Sequence, residues 1–85
     1  MITIEILYFA VTRDLTGVDR ETRPLPAGVE DIDALSAHLE TVHPALAGRL
    51  ASVRFARNEE FAKGTDRLAN GDVIALIPPV AGGLP

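Results

Sequence analysis

Cysteine is absent from this chain, which excludes disulfides, thiolate nucleophiles and zinc sites built on thiolates. Lysine is nearly absent, with Lys63 the single example. The eight basic residues are outnumbered by twelve acidic ones, for a net charge of −4. That balance opposes binding along a phosphate backbone, so nucleic acid is excluded as an expected partner, and a protein with a basic surface or cleft suits it better. No apolar run reaches membrane-spanning length. The first residues, Met1 to Glu5, read as a strand and carry no basic leader. The expectation is a cytoplasmic protein that neither crosses nor binds a membrane. A catalytic constellation is missing as well. No nucleophile–base pair, glycine-rich phosphate loop or metal-ligand cluster stands in the sequence.

What is present is enough for one domain. The 85 residues are 47% hydrophobic, and no repeat, linker or low-complexity segment divides them. Ile2 to Phe9 has strand composition. Ile2, Ile4, Ile6 and Tyr8 share a core face, and Thr3, Glu5, Leu7 and Phe9 share the other, which turns from polar to apolar along its length. Val11 to Asp19 lacks periodicity and reads as a loop or a single helical turn ended by Gly17. Arg20 to Leu25 reads as a second strand returning on the first, with Pro24 and Pro26 marking its end. Ala27-Gly28 follows as a turn.

Asp31 to His43 is the clearest helix. Ile32, Leu35, Leu39 and Val42 form one apolar stripe, Asp31 is the N-cap, and Pro44 stops the helix. His38 and His43 have no ligand partner at useful spacing and read as structural. Leu46 and Leu50 anchor a connector. Ser52 to Asn58 is a third strand, and Glu59 to Ala62 a short return arm. Ala69-Asn70-Gly71-Asp72 is a tight turn. Val73 to Ile77, apolar throughout, reads as a central buried strand. One helix covers one sheet face, so the expected class is α+β. The implied fold is a β-grasp (ubiquitin-like) domain over residues 1–77, with a mixed sheet of four to five strands and the first and last strands parallel.

Residues 78–85 form an extended tail. Pro78 and Pro79 cannot extend a central ladder, and the six residues from Pro78 to Gly83 reach roughly 20 Å when extended. Gly82 and Gly83 fit a channel too narrow for a Cβ, although paired glycines near a chain end are also the mark of a loose tail. By strand parity, Leu7, Phe9, Phe61 and Ile77 gather on the uncovered sheet face where this tail leaves, an apolar patch that reads as a binding surface.

The segments Tyr8-Phe9-Ala10-x-x-Arg13-x-Leu15-x-Gly17, the capped helix, Asn58, Gly71-Asp72 with its apolar run, and Pro78-Pro79-Val80-Ala81-Gly82-Gly83 occur in this order along nearly the whole chain. Together they resemble the molybdopterin synthase small subunit, the MoaD-like family of sulfur carriers. The resemblance implies that the Gly83 carboxylate is adenylated by an E1-like adenylyltransferase (MoeB-like) using ATP. It is then converted to a thiocarboxylate, which gives sulfur to cyclic pyranopterin monophosphate inside a large (MoaE-like) synthase subunit. No cofactor or metal is bound by the carrier itself. Gly82 and Pro78, Pro79, Val80 and Ala81 form the inserted arm, and Phe9, Phe61 and Ile77 the docking patch.

Two departures stand out. Leu84-Pro85 follows Gly83, so a peptide bond occupies the position of the free carboxylate and a processing peptidase is implied. Arg57 stands where the family has an apolar residue, which implies different packing of the third strand. Two alternatives remain open. One is a carrier for thiamin, cysteine or tRNA thiolation, or a modifier joined to protein lysines. The other is a β-grasp binding module with an inert tail.

Overall fold

A computed structural model describes residues 1–79. Five strands form one mixed sheet in the order β2-β1-β5-β3-β4. Strand β1 (Thr3–Tyr8) pairs antiparallel with β2 (Arg20–Pro24) and parallel with β5 (Val73–Ile77). On its other side β5 pairs antiparallel with β3 (Arg54–Arg57), which carries the two-residue β4 (Glu60–Phe61) at the edge. The most apolar strand is therefore the central one, as its composition requires. Helix α2 (Ile32–Val42) covers one face. This is the β-grasp arrangement.

Parity sorts the side chains. Ile4, Ile6 and Tyr8 of β1 and Ile74 and Leu76 of β5 point to the helix side and are almost wholly buried against Ile32, Leu35 and Leu39. Each such aliphatic side chain contributes on the order of 1.5–3 kcal/mol by leaving water. Asp31 caps α2, its carboxylate accepting from the Ala34 N–H at 2.8 Å. Two short 3-10 turns, Pro44–Leu46 and Leu50–Ser52, complete the connector and bury Leu46 and Leu50 beneath the sheet.

The segment after β1 differs from the sequence expectation. Ala10–Thr16 is a helix, α1, of seven residues, ended by Gly17 in the left-handed conformation at φ +81°. The cause is Thr12, which is buried. Its N–H and hydroxyl both donate to the Phe9 carbonyl, at 3.0 and 2.6 Å, and its hydroxyl also accepts from the Phe9 N–H at 3.0 Å. Strand β2 also stops at Pro24, one residue earlier than its composition suggested. Leu25 instead drops into the core, donating its N–H to the Ile2 carbonyl at 2.8 Å. The return arm after β3 is a two-residue hairpin, with Asn58 at φ +53° and Glu59 at φ +72° between the paired Arg57 and Glu60. Both central residues adopt the left-handed conformation that a type I′ turn demands.

Two charged clusters tie the layers together. Asp72 is buried, and its carboxylate accepts from the Ala69 N–H (2.7 Å), Arg57 Nε (2.7 Å) and Asn58 Nδ2 (2.9 Å). Arg57, the departure from family pattern, is thus the partner of a buried carboxylate. Glu21 receives Tyr8 Oη at 2.5 Å and Arg23 Nη2 at 3.0 Å, and lies 2.8 Å from His43 Nε2. His43 also meets the Tyr8 ring edge-on, with centroids 5.6 Å apart.

Burial pushes both carboxyls upward, but their hydrogen bonds outweigh it. The Ala69 N–H, Asn58 and Arg57 hold Asp72 below its ordinary 3.8. Tyr8, His43 and Arg23 do the same for Glu21, below its ordinary 4.5. Burial, followed by the Glu21 hydrogen bond, raises the Tyr8 phenol well above its usual range. Because both folded-state carboxyl values are depressed, their stabilisation is complete above the unfolded values and is lost as pH falls below 4.5 and then 3.8 toward the folded values. Urea titrations between pH 7 and 2 should show this acid limb, and Asp72→Asn should make it shallower while lowering stability at pH 7.

Candidate functional site: the uncovered sheet face

The second sheet face carries no helix. The register places Leu7 opposite Ala75, Ala75 opposite Ala56, and Ala56 opposite Phe61. One row of side chains therefore crosses β1, β5, β3 and β4. Alanines in the middle make a floor, and Leu7 and Phe61 make the walls. Val73 and Ile77 extend the floor along β5, Phe9 closes the end beside β1, and Asn58 and Glu59 close the end at the hairpin. The result is an apolar groove of about 650 Å³, open to solvent. Phe61 is 58% exposed and Phe9 47%, values that a monomer has no reason to favour for phenylalanine.

Each wall has a local cause. Phe9 is the last extended residue before α1, and Thr12 holds its N–H and carbonyl from the same side. Ala10 follows at φ +51°, a conformation rare outside glycine, so the chain turns sharply and leaves the Phe9 ring outside. Phe61 is backed by Arg54, whose guanidinium carbon lies 3.8 Å from the ring centroid. The floor depends on the Asp72 cluster. Asn58 donates its N–H to the Val73 carbonyl at 2.8 Å and accepts the Val73 N–H at 2.9 Å, which locks β5 to β3 at one end of the groove.

The sequence-derived site residues fall into three groups. Phe9, Phe61 and Ile77 line this one groove together. Pro78, half-buried, and Pro79, exposed, leave β5 beside Val11, Leu15, Arg49 and Val53, in a second depression between α1 and the 3-10 connector. Val80, Ala81, Gly82 and Gly83 lie outside the described residues, as do Leu84 and Pro85. Sequence reasoning missed Ala56 as part of the floor and Thr12 as the anchor of Phe9. The β3 register decides the first. A Thr three residues after the strand's last aromatic was the available signal for the second. Among the described residues no group of three His, Asp or Glu side chains is placed to hold a metal ion.

Comparison with known proteins agrees with this geometry. The ThiS family profile matches residues 6–83. The chain belongs to the ThiS family. Within it, the chain is 39% identical over 82 residues to the molybdopterin synthase sulfur carrier subunit of Chlamydomonas reinhardtii, covering 94% of this chain and 98% of that one. The human protein of the same name is 39% identical over 83 residues, covering 94% and 93%. Among solved structures, the putative molybdopterin converting factor subunit 1 of Pyrococcus furiosus superposes with a TM-score of 0.84 at 28% identity, covering 94% of this chain and all (100%) of that one. The small archaeal modifier protein 1 of Haloferax volcanii gives 0.82 at 25% identity, covering 94% and 100%. The chain is thus a ubiquitin-like β-grasp member of the sulfur carriers.

Side chains of the groove should be dispensable for folding where core neighbours are not. Phe61→Ala should change unfolding free energy by less than about 1 kcal/mol, whereas Leu76→Ala, next along β5 to Ile77, should cost about 2–5 kcal/mol. Denaturant unfolding of the two variants checks the contrast.

Proposed function

We infer that this chain is the sulfur carrier subunit of a molybdopterin synthase and that Gly83 is its reactive end. The observation that carries the reading is the apolar groove running along β5 to the point where Pro78 and Pro79 leave, on a chain whose near-full-length relatives bear that name. A peptidase removes Leu84-Pro85 and frees the Gly83 carboxylate. The carboxylate attacks the α-phosphorus of ATP in an E1-like adenylyltransferase, releasing pyrophosphate. A sulfur nucleophile from a donor then displaces AMP, leaving a thiocarboxylate. The groove seats on the large synthase subunit. Val80, Ala81 and Gly82 then carry the sulfur into that subunit's active site, where it passes to cyclic pyranopterin monophosphate.

The carrier supplies no catalytic side chain and holds no cofactor; ATP belongs to the activating partner. A chain of the complex of subunits 1 and 2 of the molybdopterin-converting factor of Helicobacter pylori shares this fold, with a TM-score of 0.67 at 24% identity. Among the described residues no helix is long and apolar enough to cross a membrane, and the reading places the reaction in the cytoplasm. The fold shared with the archaeal modifier favours one second reading, in which the same activated glycine passes to a lysine amine on another protein.

Intact-mass measurement of the protein from its own cells tests the reading. Loss of Leu84-Pro85 followed by exchange of one oxygen for sulfur is the expected result. A full-length, unmodified chain would overturn it, and attachment to other proteins would favour the modifier. Gly83→Ala should abolish sulfur transfer while leaving association with the large subunit intact, whereas Ile77→Asp should abolish both. A tail that is inert would leave Gly83→Ala fully active.

A further inference from the structure

The groove is apolar along its floor but its two ends carry opposite charge. At the hairpin end stands Glu59. At the other end, where the tail leaves, stands Arg54, directly opposite Ile77 in the β3–β5 register and on the same face. The length of β3 separates the two, about 10 Å of extended chain. Lys63 emerges beside Arg54, because β4 runs toward the same end and the Ala62 N–H still bonds the Phe55 carbonyl at 2.9 Å.

The other cations are mostly occupied. Arg13, Arg20, Arg23, Arg57 and Arg67 each have a carboxylate within ion-pair distance, among the described residues. Arg49, Arg54 and Lys63 have none there, and all three lie around the exit of the tail. Asp33 and Glu40 line a depression on the helix side that Arg54 also borders, and among the described residues neither is within ion-pair distance of it. Glu40 accepts from the Gly48 N–H at 3.2 Å, Asp66 from the Lys63 N–H at 3.0 Å, and Asp33 packs against Gly64. Arg54 is left on the open face, held in place by stacking on Phe61, with its N–H donors unused among the described residues.

A planar guanidinium fixed on an aromatic at the rim of an apolar docking groove is preorganised for a carboxylate. We propose that Arg54 determines docking specificity by pairing with an acidic side chain that the large synthase subunit presents beside the mouth of its tail channel. The inference rests on the carrier reading and adds the partner's chemistry to it. It also qualifies the whole-chain charge. A net charge of −4 favours a basic partner at long range, whereas this corner requires an acid. The arrangement gives orientation, since a partner seated end-for-end would set its acid against Glu59.

Stopped-flow association with the large subunit from the same organism, at several salt concentrations, tests the proposal. Arg54→Glu should slow association and raise Kd by about tenfold at low salt, as rim charges typically act on the encounter rate. Arg54→Met keeps an apolar cover on Phe61 and should shift the salt slope in the same direction as Arg54→Glu, by about half as much. Arg67→Glu, at the exposed ion pair with Glu30 beside the start of α2, should match the wild type. Wild-type association rates and salt slopes in both Arg54 variants would overturn the proposal. A faster dissociation with an unchanged salt slope would do the same, since it would make Arg54 only a cover for Phe61. Failure of the wild-type protein to bind at all would overturn the carrier reading together with it.

Discussion

Strand β5 sits between a parallel and an antiparallel neighbour, and its register is the constraint on which both faces of the molecule depend. Ile74 and Leu76 enter the core, so Val73, Ala75 and Ile77 must face outward. A slip of one residue would exchange the two sets, exposing the core side chains and burying the groove floor. The register is held at its start by Asp72 and Asn58, which link the 69–72 turn, the end of β3 and the first N–H of β5. A buried carboxylate with three donors is costly to disrupt, because removing any one donor leaves part of a buried charge unsatisfied. The clamp lies at one end of the strand and the tail leaves from the other, so the strand transmits a fixed position to Pro78.

The open face is a consequence of economy in helices. A five-stranded sheet with α2 on one side leaves the other for solvent or a partner, and small α1 joins the core side through Leu15. Alanine at positions 56 and 75 keeps the middle of that face low, so the larger Leu7 and Phe61 form walls instead of a flat surface. A partner that fills the groove gains from apolar burial and from the two phenylalanines already held outward by Thr12 and Arg54. Little side-chain ordering then remains to oppose binding.

Much of this was legible in the residues. The alternation in β1, the stripe and cap of α2, and the continuous apolar run of β5 are signals of period and composition, and these survive folding unchanged. Leu7, Phe9 and Ile77 followed from parity alone. Helix α1 did not, because seven residues give too few turns for a periodic signal, and its start depends on a threonine bonding back to the strand. Ala56 as groove floor was equally hidden, since the side chain is unremarkable until β3 is paired with β5. Nothing local in the sequence ties Arg54 to Phe61, seven residues on.

Spacing and composition alone set which residues are core, where the chain turns, and that prolines and then Gly-Gly follow the last strand. Those properties come from spacing, backbone restriction and hydrophobicity, which act between residues near in the chain. Packing of the whole chain set which exposed side chains share a surface, which cations find a carboxylate among the described residues, and that the groove runs along β5 to where the tail departs. These depend on register between strands far apart in sequence, such as β1 with β5, and long-range pairing is a property of the whole packed core.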